Sequence, residues 1–247
     1  MSTAIVITSG KGGTGKTSLT GGVGSCLAAL GHQVLCIDMD IGLRNLDLNL
    51  GLSDRALMDF TDVPCGRCPL ERAAVPHPVI QGLNLITAPV NLPDEPLSEY
   101  AMRDLVRQAK QKYDYILMDS PAGLGEGFRL ACCAADRAIV VSTTDSSALR
   151  DAQRTVSVLR KQLPQLHLVV NRVQPKILRR LHTTIDDAMD TAGLPLLGIV
   201  PEDPQVILSA NRGEPLILCA SRGAAIAYLN IAKRLTGQKV PLMKLRA

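Results

Sequence analysis

Short apolar runs rich in β-branched residues recur along the chain, and they predict the strands of a sheet. Because these runs lack a strict alternation of apolar and polar positions, we expect both faces of the sheet to be covered. The predicted strands are AIVIT 4–8, QVLCID 33–38, LNLITA 83–88, YDYILMD 113–119, AIVVSTT 138–144, LHLVVN 166–171 and PLLGIV 195–200.

Between most of these runs, apolar positions recur with the period of a helix. Strands that alternate with helices are typical of a doubly wound, mostly parallel α/β sheet. Residues 52–81, rich in Pro, Cys and Arg, predict an irregular excursion or short helices and not a separate domain. We therefore expect one domain over residues 1–247, with a short C-terminal tail at about 238–247. The predicted helices are 17–31, 98–112, 147–163, 179–193 and 222–237.

Charge and hydropathy argue against nucleic-acid binding and against a membrane-spanning segment. The formal net charge is +4 and the positive residues are scattered, so nucleic-acid binding is not expected. The densest basic run, KILRR at 176–180, is interpreted as a solvated helix face. The chain shows no signal peptide, and no apolar run approaches the roughly 20 residues of a membrane span, so a cytoplasmic protein is expected.

Seven cysteines occur in the sequence, and two of them have the spacing of a half-site for zinc or redox chemistry. These are Cys65 and Cys68 in CGRC, but no second pair and no nearby histidine cluster completes the pattern. We interpret them as a reduced structural pair. A carrier of a metal cluster that uses Cys65 and Cys68 is the alternative.

A phosphate-binding pattern lies near the N-terminus. Residues 10–17, GKGGTGKT, match G-x-x-x-x-G-K-[ST], follow a predicted strand and open a predicted helix. Glycines let consecutive backbone N–H groups turn toward a phosphate, and the helix N-terminus adds partial positive charge. Lys16 would reach the β- and γ-phosphates of a nucleotide, and the Thr17 hydroxyl would bind Mg²⁺. The predicted nucleotide contacts in this loop are Gly10, Lys11, Gly12, Gly13, Thr14, Gly15, Lys16, Thr17 and Ser18.

A second lysine, Lys11, opens the same loop, where it cannot easily curl back onto phosphates that its own backbone surrounds. Here the sequence resembles the deviant-Walker family of P-loop ATPases, whose KGGxGKT loop carries a signature lysine at the position of Lys11. The resemblance implies that two subunits meet face to face across two ATP molecules. Lys16 then acts on its own nucleotide and Lys11 on that of the partner. A solvated lysine beside a glycine loop is the alternative.

Acidic residues follow two of the predicted strands, at the edge where parallel sheets bind ligands. Asp38 and Asp40 open DMDIGLRNLDLNLG at 38–51, and Asp119 ends the apolar run of YILMDSPAG at 115–123. The resemblance implies that Asp40 orients the attacking water and that Asp38 supports the Mg²⁺ shell or the loop. It also implies that Asp119 holds Mg²⁺ through water and that the Gly123 N–H senses the γ-phosphate. Aspartates that only cap helices or turns are the alternative.

Recognition of the base rests on a weaker signal. Asn171 ends the run VVNR, and an Asn amide offers both a donor and an acceptor to a base edge. The resemblance implies that Asn171 and Pro201 flank the adenine of ATP. An asparagine that merely turns a loop is the alternative.

Longer strings narrow the resemblance to one branch of the family. DIGLRNLDL, DSPAG, PED and NRGEP resemble the MinD branch, the septum-site-determining ATPases, over nearly the whole chain. The resemblance implies an ATP-dependent homodimer that recruits division-inhibitor and activator proteins of the Min type to position the division site. Flagellar-number regulators and partition-type ATPases that bind DNA are the alternatives.

Two segments depart from the pattern of this branch. TTDSSALRDA at 143–152 lacks the Pro-Glu that usually precedes the partner-docking helix, although Asp151 matches the acidic docking position. After Gly237, QKVPLMKLRA supplies about one apolar turn with basic residues, which is shorter than the membrane-targeting helix of the family. We expect contact with the inner face of the cell membrane to be weak or indirect.

Overall fold

The computed structural model describes residues 2–53, 55–91 and 97–243, and in these residues eight strands form one sheet. The order across the sheet is β3-β4-β2-β5-β1-β6-β7-β8, and only the pair β3–β4 is antiparallel. The mostly parallel α/β sheet predicted from the sequence is confirmed. The strands are β1 (Thr3–Thr8), β2 (Val34–Asp38), β3 (Val75–Pro76), β4 (Leu83–Ile86), β5 (Tyr115–Asp119), β6 (Arg137–Ser142), β7 (Gln165–Val173) and β8 (Leu196–Pro201).

Helices cover both faces of this sheet, which explains why the strands lack alternation. Along β1, Ala4 and Val6 pack into one hydrophobic cluster, while Ile5 and Ile7 pack into another on the opposite face. The helices are α1 (Lys16–Ala29), α2 (Leu46–Leu50), α3 (Leu70–Ala73), α4 (Glu99–Ala109), α5 (Glu126–Cys133), α6 (Ser146–Leu159), α7 (Pro175–Leu181), α8 (Ile185–Ala192), α9 (Pro204–Arg212), α10 (Leu216–Cys219) and α11 (Ala224–Leu235).

The single helix predicted at 179–193 is wrong, because the chain forms two helices there. His182 takes a left-handed conformation with φ of 51° and ends α7. Thr184 then opens α8 with a capping box: its hydroxyl accepts from the Asp187 N–H, and the Asp187 carboxylate accepts from the Thr184 N–H. The apolar period runs through both helices, so it does not reveal the break.

Three helices that the apolar pattern does not predict follow the carboxyl ends of strands: α2 after β2, α5 after β5 and α9 after β8. The described part of 52–81, which leaves out residue 54, is largely irregular and contains the short helix α3 and the short strand β3, as expected from the sequence. Among the described residues, no helix combines the length and the apolar character needed to cross a bilayer.

Asp203 ties two helices to the carboxyl end of β8. Its Oδ1 accepts from the N–H of Gln205 in α9 at 2.9 Å, and its Oδ2 accepts from the N–H of Ala224 in α11 at 2.9 Å. Gly223, just before α11, has φ of 62°, and a side chain there would collide with the Asp203 carboxylate. One carboxylate therefore satisfies N-terminal N–H groups of both helices, which have no partner within a helix.

Removing this double cap should destabilise the protein measurably. Because each N-terminal cap contributes about 0.5–2 kcal/mol, Asp203→Ala should lower the free energy of unfolding by about 1–4 kcal/mol. Urea denaturation followed by circular dichroism measures the change. Gln205→Ala removes an exposed neighbouring side chain and should stay within about 0.5 kcal/mol of the unmodified protein. Equal losses in both variants would contradict the capping role.

Candidate functional site

A cleft of about 670 Å³ opens at the carboxyl ends of the parallel strands. It is bounded by the loop between β1 and α1, the loop after β2, the end of β7, and α9. The sequence-predicted residues that line it are Gly12, Gly13, Gly15, Lys16, Thr17, Ser18, Asp40, Asn171 and Pro201. The structure therefore brings most of the predicted nucleotide contacts together.

The loop before α1 is shaped by glycines and by its contact with β7. Gly13 and Gly15 have φ of 76° and 89°, a region that favours glycine, and a side chain at Gly15 would collide with the Asn171 amide. Within the described residues, α1 begins at Lys16 without a side-chain cap, and the buried hydroxyl of Thr14 has no hydrogen-bond partner. The loop thus leaves backbone N–H groups for an anionic ligand, as a phosphate cradle requires.

Lys16 is the main positive charge of the cleft. Its side chain is largely buried, since the residue is 8% exposed, and it makes no hydrogen bond or ion pair with any residue that the structure describes. Burial lowers its pKa, while the charges of Asp119 and Asp40 raise it. A buried cation without a bonded partner is costly, so the site is suited to a bound anion.

Asp119 and Asp38 form a buried acidic pair beside Lys16. They lie opposite each other in register at the ends of β5 and β2. Burial is the main cause that raises the pKa of Asp119 to about 7 and the pKa of Asp38 to about 6. The negative charge of Asp38 raises the pKa of Asp119 further. Asp119 accepts a hydrogen bond from the Thr20 hydroxyl at 3.2 Å, and the Thr17 side chain nearby lowers the pKa of Asp119. Carboxylate and hydroxyl oxygens are the ligands that Mg²⁺ prefers, so these residues fit that ion.

Asp38 also organises the loop that carries Asp40 into the cleft. Its two carboxylate oxygens accept from the backbone N–H groups of Asp40 at 2.9 Å and Leu46 at 3.1 Å. Burial raises the pKa of Asp40, while the charge of Lys16 lowers it. Of the two roles that the sequence allows for Asp38, this geometry favours support of the loop.

Lys11 points away from the cleft. Its Nζ donates to the Ser147 hydroxyl at 2.8 Å and lies 3.7 Å from Oδ1 of Asp145, the residue that caps the N-terminus of α6. The neighbouring Gly10 packs so closely against α6 that a side chain there would collide with the Asp151 carbonyl. The start of the loop is therefore attached to α6, and Lys11 does not reach the nucleotide site of its own chain.

The amide of Asn171 braces the loop in this structure, because its Nδ2 donates to the Thr14 carbonyl at 2.7 Å. The next residue, Arg172, takes a φ of 55° and donates to the Gly13 carbonyl at 3.2 Å. Arg172 also pairs with Glu202 at 2.8 Å. Sequence reasoning misses Arg172 and Glu202, because neither the positive φ nor the pairing leaves a local pattern.

Several predicted residues lie outside the lining of the cleft. Thr14, Asp38 and Asp119 are buried, and Gly123 sits in the loop after β5 with φ of 85°. Cys65 is exposed and Cys68 is buried. Within the described ranges, no group of three or more His, Cys, Asp or Glu side chains is arranged to hold a metal ion. Gly10 and Lys11 face α6 instead.

Positive potential from Lys16 and the loop N–H groups lies next to oxygen ligands for a divalent cation, all at the point where strand β1 passes into α1. This arrangement is suited to the phosphates of a nucleotide together with a metal ion. The fold and the cleft together define a P-loop nucleotide-binding protein.

Comparison with known proteins narrows this class. A family model described as the CobQ/CobB/MinD/ParA nucleotide binding domain matches residues 5–216. A septum site-determining protein MinD from a Synechocystis species is 40% identical, over 100% of this chain and 94% of that protein. In the MinC:MinD cell division protein complex of Aquifex aeolicus, a chain 39% identical matches with a TM-score of 0.91, over 98% of this chain and 99% of that chain. MinD of Pyrococcus horikoshii complexed with Mg-ADP matches with a TM-score of 0.83 at 30% identity, over 95% and 96% of the two chains.

The chain therefore belongs to the MinD family of septum site-determining ATPases, which confirms the resemblance seen in the sequence. It is an ATPase of cell-division site positioning. The flagellar and DNA-partition alternatives are not favoured.

The acidic pair predicts how stability depends on pH. In the folded, ligand-free protein Asp38 and Asp119 hold protons that the unfolded chain releases above the ordinary pKa of 3.8. Their contribution is full below that pH and is lost as the pH rises toward the folded values. We expect the free energy of unfolding in Mg²⁺-free buffer to fall between about pH 4 and about pH 7.

Urea denaturation at a series of pH values measures this fall, and Asp119→Asn should remove most of it. Asp190→Asn changes an exposed carboxyl of α8 and is the matched control. If the Asp119→Asn protein kept the slope of the unmodified protein, the pair would not be the source of the pH dependence.

Proposed function

We propose that this chain is a Mg²⁺-dependent ATPase whose ATP-bound form is a homodimer. The homodimer recruits partner proteins, and ATP hydrolysis converts it back to monomers. The observation that carries the proposal is the direction of Lys11. It opens a phosphate-binding loop, yet it is held at the N-terminus of α6 and away from its own cleft. A lysine so placed is free to serve a nucleotide bound by a second subunit.

Within one subunit, the loop and Lys16 bind the phosphates. The uncapped N-terminal N–H groups of α1 donate to the phosphate oxygens, and Lys16 neutralises the charge on the β- and γ-phosphates. Thr17 and Asp119 would hold Mg²⁺. Asp38, next to Asp119, would support the Mg²⁺ shell in addition to the loop that carries Asp40. The ion, when bound, neutralises charge that develops on the phosphates. Asn171 and Pro201 flank the adenine.

Hydrolysis needs a group that orients water at the γ-phosphate. Asp40 lines the cleft, and the two backbone bonds to Asp38 fix the loop that carries it. Asp40 orients the attacking water, and the Gly123 N–H, which lies in the loop after Asp119, senses whether the γ-phosphate is present. The proximity of Asp40 to the positive charge of Lys16 supports this assignment.

The rim of the cleft suits a second copy of the chain. Leu43, Leu48 and Ile207 lie at its edge and are 65%, 53% and 61% exposed. Apolar side chains grouped around a ligand cleft are costly to leave in water, and a face-to-face partner would cover them. To reach the partner's phosphates, Lys11 must leave Ser147 and Asp145, so dimerisation changes the N-terminal end of α6.

Recruitment of partners follows from this change at α6. The Aquifex aeolicus structure is a complex of MinD with MinC. We infer that this chain binds a division-inhibitor protein of the same kind and an activator of the Min type. Asp151, half-buried on α6 next to the phosphate loop, is the acidic residue that we assign to the docking surface. Nucleic acid is not a partner in this proposal.

The two lysines of the loop should fail in different ways. Lys16→Ala removes the charge on the β- and γ-phosphates, so isothermal titration should show no binding of ADP or ATP. Lys11→Ala should keep ADP binding. It should lose ATP hydrolysis and also ATP-dependent dimerisation, which light scattering measures. Lys176→Ala changes an exposed lysine on α7 and is the matched control. Normal dimerisation of the Lys11→Ala protein in ATP would overturn the role of Lys11 across the dimer.

Asp40 should affect the rate and leave binding intact. Positioning by a general base contributes about 10²–10⁴-fold to rate, so Asp40→Ala should slow ATP hydrolysis by that factor. Its affinity for Mg-ATP should change little, and its dimer should persist in light scattering after ATP addition. Asp47→Ala removes a carboxylate of α2 that does not line the cleft and serves for comparison. Turnover at the normal rate in the Asp40→Ala protein would assign the water to another residue.

A further inference from the structure

The chain reverses direction immediately after α11. Gly237 adopts φ of 85°, and the N–H of Gln238 bonds back to the carbonyl of Lys233 at 3.0 Å. This left-handed turn sends residues 238–243 back toward the body of the protein. The part of the predicted tail at 244–247 lies outside the described residues.

One side chain of α11 holds this returning segment. Arg234 donates from Nε and Nη2 to the Val240 carbonyl at 3.1 and 3.0 Å, and from Nη2 to the Pro241 carbonyl at 2.7 Å. Its Nη1 donates to the carbonyl of Leu197 in β8 at 2.9 Å. The planar fork of the guanidinium therefore joins the tail to the edge of the sheet, which a lysine with a single charged nitrogen does not reproduce.

The charge of Arg234 is satisfied in an unusual way. Among the residues that the structure describes, no carboxylate pairs with it, and its bonds go to backbone carbonyls alone. Burial lowers its pKa. Arg234 is partly desolvated, so its charge needs the carbonyl groups that it contacts. Two of these carbonyls belong to Val240 and Pro241, and they stabilise the guanidinium only while the tail stays in place.

Two features of the body position the returning segment. Gly198 in β8 leaves room for Ile231 of α11, with which a side chain at position 198 would collide, so the last turns of α11 lie close to the sheet. Farther along, Met243 packs against the hydrophobic cluster on the α1 and α11 face of the sheet. The tail is thus fastened at two points, by Arg234 and by Met243, while Leu242 between them stays 49% exposed.

We propose that Arg234 is a latch that stores residues 240–243 on the body and thereby limits their contact with an anionic lipid surface. With the latch closed, Met243 is occupied and only part of the apolar turn faces outward. With the latch open, Val240, Leu242 and Met243 form one apolar turn beside Lys239, which is the mixture of groups that binds to such a surface. This proposal depends on the contacts of the tail and not on the nucleotide or partner roles assigned above.

The latch can be opened by one substitution and observed directly. In protein labelled with ¹³C at the methionine methyl groups, the Met243 signal is assigned by its loss in Met243→Leu. In Arg234→Gln we expect this signal to become sharp and to move to the position of a free methionine. Lys233→Gln, which removes a neighbouring charge of α11 that does not contact the tail, should leave it unchanged. An unchanged Met243 signal in Arg234→Gln would overturn the latch.

Vesicle binding then separates the latch from simple charge attraction. On vesicles of equal parts phosphatidylcholine and phosphatidylglycerol, loss of one positive charge near the surface should by itself weaken binding about fivefold. The latch predicts the opposite sign, with Arg234→Gln bound at least threefold more than the unmodified protein and Lys233→Gln bound less. Arg234→Lys, which keeps the charge, should also bind more. Equal ADP affinity in all variants verifies folding, and weaker vesicle binding by Arg234→Gln would overturn the proposal.

Discussion

The structure depends on placing one buried positive charge next to two buried negative ones at the edge of a parallel sheet. Asp119 and Asp38 end β5 and β2, and Lys16 begins α1 after the loop that follows β1. The strands β2, β5 and β1 are neighbours in the sheet but distant in the sequence. Isolated buried charges are expensive, and the raised pKa values of both carboxyls express that cost. A phosphate and a divalent cation would compensate these charges, as the proposed function requires, so affinity for the nucleotide would then be a consequence of the fold.

The start of the phosphate loop, at the same edge of the sheet, is in direct contact with α6. Gly10 has no side chain because the α6 backbone lies directly against it, and Lys11 bonds to the first turn of α6. The phosphate loop therefore cannot change its first residues without affecting α6. The nucleotide switch proposed above would not require a large rearrangement, since moving one lysine side chain removes the contact of the loop with Ser147 and Asp145, which stay hydrogen-bonded to each other.

The sequence predicts the parts of the molecule that are determined locally. The runs at 4–8 and 113–119 give strands because β1 and β5 are buried on both faces, and GKGGTGKT gives the loop because only glycine tolerates the φ values at Gly13 and Gly15. The break at His182 escapes the apolar period, because a capping box and a left-handed residue interrupt the helix without interrupting the apolar stripe. The contact of Lys11 with Ser147 spans 136 residues, and the bond from Arg172 to Gly13 spans 159, so neither has a sequence pattern.

Helix α11 runs from the nucleotide cleft to the C-terminal tail. Its N-terminus is capped by Asp203, which lines the nucleotide cleft, and its last turn carries Arg234, which holds the tail. Between them, Tyr228 is fully buried against α1, where Gly22 leaves room for its ring. A helix pinned at its start, middle and end moves as one rigid body. The start of the tail is therefore held in a fixed position relative to the cleft, and release of residues 240–243 requires the loss of the Arg234 hydrogen bonds and of the Met243 packing.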